Sequence, residues 1–148
     1  MHNNNILHRD LKSANIFISE DGTYKLGDLN ISKVLKQGLA HTQTGTPYYC
    51  SPEVWQDKPY GSKSDIWSFG CVLYEMAAQK PPFTASDIQG LYRKICAGVF
   101  PRIPNIYSTE LSDLINSMLK LNPSLRPTVH DILKSEIVKR KYQGQISD

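Results

Sequence analysis

His8-Arg9-Asp10-Leu11-Lys12-Ser13-Ala14-Asn15 is the stretch on which the reading of this chain turns. It sets an imidazole, a guanidinium, a carboxylate, an ammonium and a carboxamide within one short run. Taken singly, these residues have plain explanations: Asp10 as a helix cap, His8 as a hydrogen-bonded core histidine. The combination, with Lys two residues and Asn five residues after the Asp, asks for a further one.

Working outward, Ile6-Leu7 and Asn15-Ile16-Phe17-Ile18-Ser19 read as short strands. Glu20-Asp21-Gly22 reads as a turn, because Asp-Gly supplies the positive-φ position of a tight hairpin. Thr23-Tyr24-Lys25-Leu26 is the returning strand. From Asn30 to Tyr60 the sequence has turn formers and no sustained period, a length usually reserved for function inside a compact domain. Ser64 to Ala78 then spreads Trp67, Phe69, Val72, Leu73, Tyr74 and Met76 around most of a helical circumference, interrupted by Ser68 and Glu75. A helix apolar nearly all round is a central, buried one. Three more helices are expected near 86–97, 109–121 and 128–140, the last opened by a Thr128-x-x-Asp131 capping signature. The expected fold is mainly α with a small β-hairpin at one end.

The bulk properties narrow the classes. The chain has 148 residues, 40% hydrophobic and 21% charged, with formal net charge +3. That length suits one domain, and so mild a charge does not point to nucleic acid. Lys139-Arg140-Lys141 reads as a solvated helix end, with a docking patch for an acidic partner as the alternative. Cys50, Cys71 and Cys96 are scattered without a CxxC pair, which indicates neither a disulfide framework nor zinc and fits a reducing, cytoplasmic compartment. The apolar stretch from Trp67 to Ala78 is too short and too polar to span a membrane, and the first residues carry no signal pattern.

The opening run resembles the catalytic loop of protein kinases, H-R-D-x-x-x-x-N, with matching spacing. Further segments follow in the family's order. Gly27-Asp28-Leu29-Asn30 falls where the family has D-F-G. Gly45-Thr46-Pro47-Tyr48-Tyr49-Cys50-Ser51-Pro52-Glu53 resembles the segment ending in A-P-E. Ser64-Asp65-Ile66-Trp67-Ser68-Phe69-Gly70 and Leu125-Arg126-Pro127 complete the set. The flavour is that of the NIMA-related Ser/Thr kinases, seen in Asn15-Ile16-Phe17, Gly45-Thr46-Pro47-Tyr48-Tyr49 and Gly70-Cys71-Val72-Leu73-Tyr74-Glu75.

The resemblance implies transfer of the ATP γ-phosphate to Ser or Thr hydroxyls of protein substrates, with ATP and Mg²⁺ bound. It makes Asp10 the base, Lys12 the cation over the migrating group, and Asn15 and Asp28 the metal ligands; Lys12, Asn15 and Asp28 then share the nucleotide. Thr46 is implied to hydrogen-bond Asp10 and Lys12. Among structural residues, Glu53 is implied to pair with Arg126, Asp65 to accept catalytic-loop amides, and His8 to support the loop. Regulation is implied at Thr42, then Thr44, where phosphorylation would pair with Arg9. The implied fold is a partial kinase C-lobe over residues 1–141, followed by a tail at 142–148.

Two departures stand out. Leu29 and Asn30 replace the family's Phe and Gly, which implies altered switching, although Asn tolerates left-handed backbone. The chain also contains no Gly-rich phosphate-covering loop and no V-A-I-K lysine, parts that the resemblance assigns to an N-terminal lobe. If the helix normally leading into the catalytic loop is missing, about four large side chains of the central helix lose cover, on the order of 6–12 kcal/mol of burial. The chain is then expected to be marginal or partner-dependent. A competing reading is a catalytically silent fragment or truncated gene product that docks on a full-length kinase or scaffold. Family resemblance further suggests a cytoskeletal or ciliary address.

Overall fold

The computed structural model describes residues 1–28 and 47–143. Thr42, Thr44, Thr46, Leu29 and Asn30 lie outside the described residues. The chain is mostly helical. Two strands, β1 (Ile16–Ile18) and β2 (Tyr24–Leu26), form an antiparallel hairpin in which Ile16 faces Leu26, Phe17 faces Lys25 and Ile18 faces Tyr24. Its turn places Gly22 at φ 80°, and Asp21 Oδ1 accepts from the Thr23 amide at 3.0 Å. Ile6-Leu7 is not a strand. The sheet of the described residues consists of β1 and β2 alone, and a left-handed Asn5 (φ 55°) closes a 3-10 turn directly before Ile6. Beta-prone residues with no partner strand have nothing to pair with.

The helices are α1 (Pro52–Trp55), α2 (Ser62–Ala78), α3 (Ile88–Ala97), α4 (Thr109–Met118), α5 (Val129–Lys134) and α6 (Glu136–Gln143). Helix α1 falls inside the segment expected to be loop. Pro52 at its first turn needs no donor there, which suits a short helix start. The helix expected over 128–140 is two helices. Ser135 leaves the helical region (ψ 143°) and its hydroxyl bonds the Ile132 carbonyl at 2.6 Å, while its own carbonyl accepts from Val138 and Lys139. Serine competes well with the backbone in this way. At the head of α5, Thr128 and Asp131 form a reciprocal capping box.

Helix α2 is the axis of the core. Trp67, Cys71 and Tyr74 pack with Trp55, Phe83, Leu91, Ile95, Ile103, Ile115 and Leu119, and Ile66 packs with Met118 and Ile132. Trp67 stacks on Phe83 with centroids 5.6 Å apart, and Phe100 stands edge-on to both Phe83 and Tyr74. Gly70 lets α4 approach, because a Cβ there would stand 2.8 Å from the Met118 Cβ. The predicted uncovering of α2 does not occur on that scale. Of its large apolar side chains only Met76 is exposed, with Phe69 and Leu73 half-buried. Ser68, expected to break the apolar surface, is buried and donates to the Tyr49 and Ser64 carbonyls. Exposed apolar surface gathers instead on the hairpin, at Phe17, Ile18, Tyr24 and Leu26. No helix of the described residues is long and apolar enough to cross a membrane.

Candidate active site

The run from His8 to Asn15 is held against the N-terminal end of α2 by one buried carboxylate. Asp65 accepts from the His8 amide (2.9 Å) and the Arg9 amide (3.0 Å), from Tyr60 Oη (2.5 Å), and pairs with His2 Nε2 (2.8 Å). Burial raises the Asp65 carboxyl pKa, but the hydrogen bonds from Tyr60, His2 and the two amides outweigh it and hold the pKa below the usual range. This anchor also fixes Arg9 in the left-handed region at φ 67°. Such a conformation costs on the order of 1–2 kcal/mol in a non-glycine residue and persists where surrounding bonds dictate it.

His8, buried beneath the loop, ties its parts together. Its Nε2 donates to the Gly27 carbonyl at 3.1 Å and its Nδ1 accepts from the Asp10 amide at 3.3 Å, a pair of partners satisfied by the tautomer protonated at Nε2. The Gly27 amide in turn donates to the Asn15 carbonyl at 2.9 Å. Asp28 therefore leaves the hairpin one residue past the glycine paired with Asn15, in a left-handed turn at φ 54°. A Cβ at Gly27 would stand 2.5 Å from the edge of the exposed Phe17 ring, so a larger residue there would require that ring to turn.

Asp10, Lys12 and Asn15 converge directly. Asp10 Oδ2 accepts from Lys12 Nζ at 3.1 Å and from Asn15 Nδ2 at 3.3 Å, while Asn15 Nδ2 also donates to the Asp10 carbonyl at 2.8 Å. With its amide nitrogen committed, Asn15 is left with Oδ1 as the oxygen a cation would take. Asn15 is buried, whereas Asp10 and Lys12 side chains keep 25% and 35% of their surface exposed, enough to meet a substrate. Asn15 Oδ1 and the Asp28 carboxylate are hard oxygen donors, the chemistry that suits Mg²⁺, an ion that retains waters and takes further ligands from phosphates.

Glu53 and Arg126 form a buried bidentate pair at 2.7 and 2.8 Å. The other Arg126 protons go to the carbonyls of Lys120, Lys63 and Leu121, so all five donors are satisfied. Ser64 Oγ donates to Glu53 at 2.7 Å, and the guanidinium lies 5.0 Å over the Trp67 ring. Burial pushes the Glu53 carboxyl up, but hydrogen bonds from Arg126 and Ser64 bring it down to about 2.

His2, Tyr60, Ser13, Tyr49 and Glu75 also belong to the network around the site, and spacing along the chain does not mark them. Tyr49 Oη contacts Ser13 Oγ at 2.9 Å and Glu75 Oε2 at 2.6 Å. These partners lie 36 and 26 residues from Tyr49, and His2 lies 63 from Asp65. No local pattern encodes such pairs; the one signal in the sequence is Glu75 interrupting an otherwise apolar helix.

Comparison with known proteins agrees with this geometry. A family model described as protein kinase domain matches residues 1–138. Serine/threonine-protein kinase Nek1 of Mus musculus is 45% identical over 149 residues, covering 99% of this chain and 12% of the relative. Nek4 of the same organism is 46% identical, covering 94% of this chain and 18% of the relative. A probable serine/threonine-protein kinase, nek3 of Dictyostelium discoideum, is 51% identical, covering 95% and 13%. The chain thus spans less than a fifth of the length of these relatives. It belongs to the protein kinase domain family, as a fragment whose relatives are Nek serine/threonine kinases.

Proposed function

We propose that this chain is the C-terminal lobe portion of a catalytic domain that transfers the γ-phosphoryl group of ATP to Ser or Thr hydroxyls of proteins. One observation carries the reading: a part-exposed carboxylate, Asp10, sits in hydrogen-bond contact with both an ammonium and a buried carboxamide on a loop fixed by Asp65. Asp10 orients the substrate hydroxyl and takes its proton as the oxygen attacks phosphorus and ADP departs. Lys12, beside that carboxylate, offsets charge on the migrating group. Asn15 and Asp28 would hold Mg²⁺, which would supply neutralisation of phosphate charge when bound. The exposed ring of Phe17, on the strand leaving Asn15, offers a flat apolar surface for the nucleobase. Thr46 bonding to Asp10 and Lys12, and phosphorylation of Thr42 or Thr44 read by Arg9, complete the proposal, as does a cytoplasmic setting.

The test is phosphotransfer from Mg-ATP to a Ser/Thr peptide by the full-length gene product. Asp10→Asn is expected to lower kcat by about 10²–10⁴-fold, the range for losing a general base. No transfer by the wild-type protein, or full activity in Asp10→Asn, overturns the reading.

A further inference from the structure

The loop from His8 to Asn15 is fixed to α2 at its front end through Asp65. Its back end, the 3-10 turn Ser13–Asn15, has no side-chain cap of its own. There the Ser13 hydroxyl lies 2.9 Å from Tyr49 Oη, which lies 2.6 Å from Glu75 Oε2. A carboxylate only accepts, so the Tyr49 proton points to Glu75 and the Ser13 hydroxyl donates to Tyr49. The chain of bonds is polarised towards the carboxylate, an arrangement in which each bond strengthens the next. Burial, together with the Glu75 carboxylate, raises the Tyr49 phenol and keeps its proton in place at neutral pH.

Asp65 and Glu75 both belong to α2, ten residues and so about 15 Å apart along its axis. The loop carrying Asp10, Lys12 and Asn15 is thereby attached to one rigid helix at two separated points. A single anchor fixes a position; two fix an orientation. Tyr49 is itself secured to α2 a second time, since its carbonyl accepts from Ser68 Oγ at 2.8 Å.

We propose that Ser13 and Tyr49 are positioning residues for phosphoryl transfer, their hydroxyls and the Glu75 carboxylate holding the turn that carries Lys12 and Asn15 in its productive orientation. The proposal rests on the kinase reading above. It differs from the plain alternative, in which the exposed Ser13 hydroxyl exchanges Tyr49 for water without consequence.

Kinetics of the full-length protein with Mg-ATP and a Ser/Thr peptide test it. Ser13→Ala and Tyr49→Phe are each expected to lower kcat about tenfold, since small misplacements of catalytic groups are costly, while KM values and the thermal midpoint stay near wild type. The double variant should be no worse than the poorer single one, because both break one chain of bonds. Ser13→Thr, which keeps the hydroxyl, should restore the rate. Hydrogen exchange on the 148-residue chain gives a readout independent of activity: Ser13→Ala should expose the Asn15 amide, leaving the Asp65-bound amides of His8 and Arg9 protected. Wild-type kcat in Ser13→Ala, multiplying losses in the double variant, or a loss confined to KM overturns the proposal. A wild-type protein that transfers no phosphate sinks the kinase reading and with it the catalytic consequence. Unchanged exchange in Ser13→Ala sinks the tie itself.

Discussion

At the scale of single residues, the Glu53–Arg126 pair carries the largest local stake. Both side chains are buried and every guanidinium proton has an acceptor. Removing one partner leaves the other as an uncompensated buried charge, at about 3–5 kcal/mol. Glu53→Gln should therefore shift the urea midpoint by a loss of that order. The pH dependence has a definite sign. A carboxyl lowered to about 2 in the folded state, against about 4.3 unfolded, stabilises the fold above pH ~4 and loses that contribution as pH falls towards 2. Wild-type stability should fall across that window more steeply than that of Glu53→Gln, and parallel curves would contradict the assignment. The cysteines give a second prediction. Burial and the Asp10 carboxylate push the Cys50 thiol up to about 11, and burial chiefly, with Cys50 and Glu75 adding and Arg126 opposing, raises the fully enclosed Cys71. Since the thiolate is the reactive form, iodoacetamide at neutral pH should label half-exposed Cys96 first, as read by peptide mass spectrometry. Labelling of Cys50 ahead of Cys96 would contradict this.

At the scale of elements, the contact between α2 and α4 is set by Gly70. Alanine in a helix interior normally gains up to about 1 kcal/mol over glycine. Here its Cβ would meet the Met118 Cβ at 2.8 Å and Leu119 Cδ2 at 3.1 Å, and neither neighbour is a freely moving chain end. Overpacking of a filled core costs about 1–3 kcal/mol, so it wins. Gly70→Ala should lower the thermal midpoint; an increase would show that α4 can shift aside. The elements also show where local pattern sufficed. The Asp21-Gly22 turn and the helical periods of α2, α3 and α4 are written in adjacent residues. The break at Ser135 is not legible in the sequence, because a serine inside an apolar periodic stretch looks like a surface position until its hydroxyl is seen on Ile132.

Across the whole molecule, stability is expected to be uneven. The core surrounds α2, whereas the hairpin is two three-residue strands with most side chains exposed. An isolated two-stranded hairpin is marginal in water, so this one leans on its links to Gly27, His8 and Asn15. Amides of β1 and β2 should exchange by local opening well before those of α2 between Ile66 and Tyr74. Equal protection in both would refute the gradient. The exposed apolar residues Ile6, Phe17, Ile18, Tyr24 and Leu26 should also make the folded chain bind a hydrophobic dye.

The sequence by itself determined the chemistry that is local: the acid, amine and amide between Asp10 and Asn15, the hairpin, and the central apolar helix, each encoded by residues a turn or less apart. Only the tertiary structure decided what holds that chemistry still. Tyr49 meets Ser13 across 36 positions and Glu75 across 26, and His2 meets Asp65 across 63, whereas the Asp65–loop and Glu53–Arg126 contacts are implied by the family resemblance and not by spacing. The physical reason is that a carboxylate's partners are set by which surfaces the folded core brings within 3 Å, and spacing along the chain carries no record of that distance.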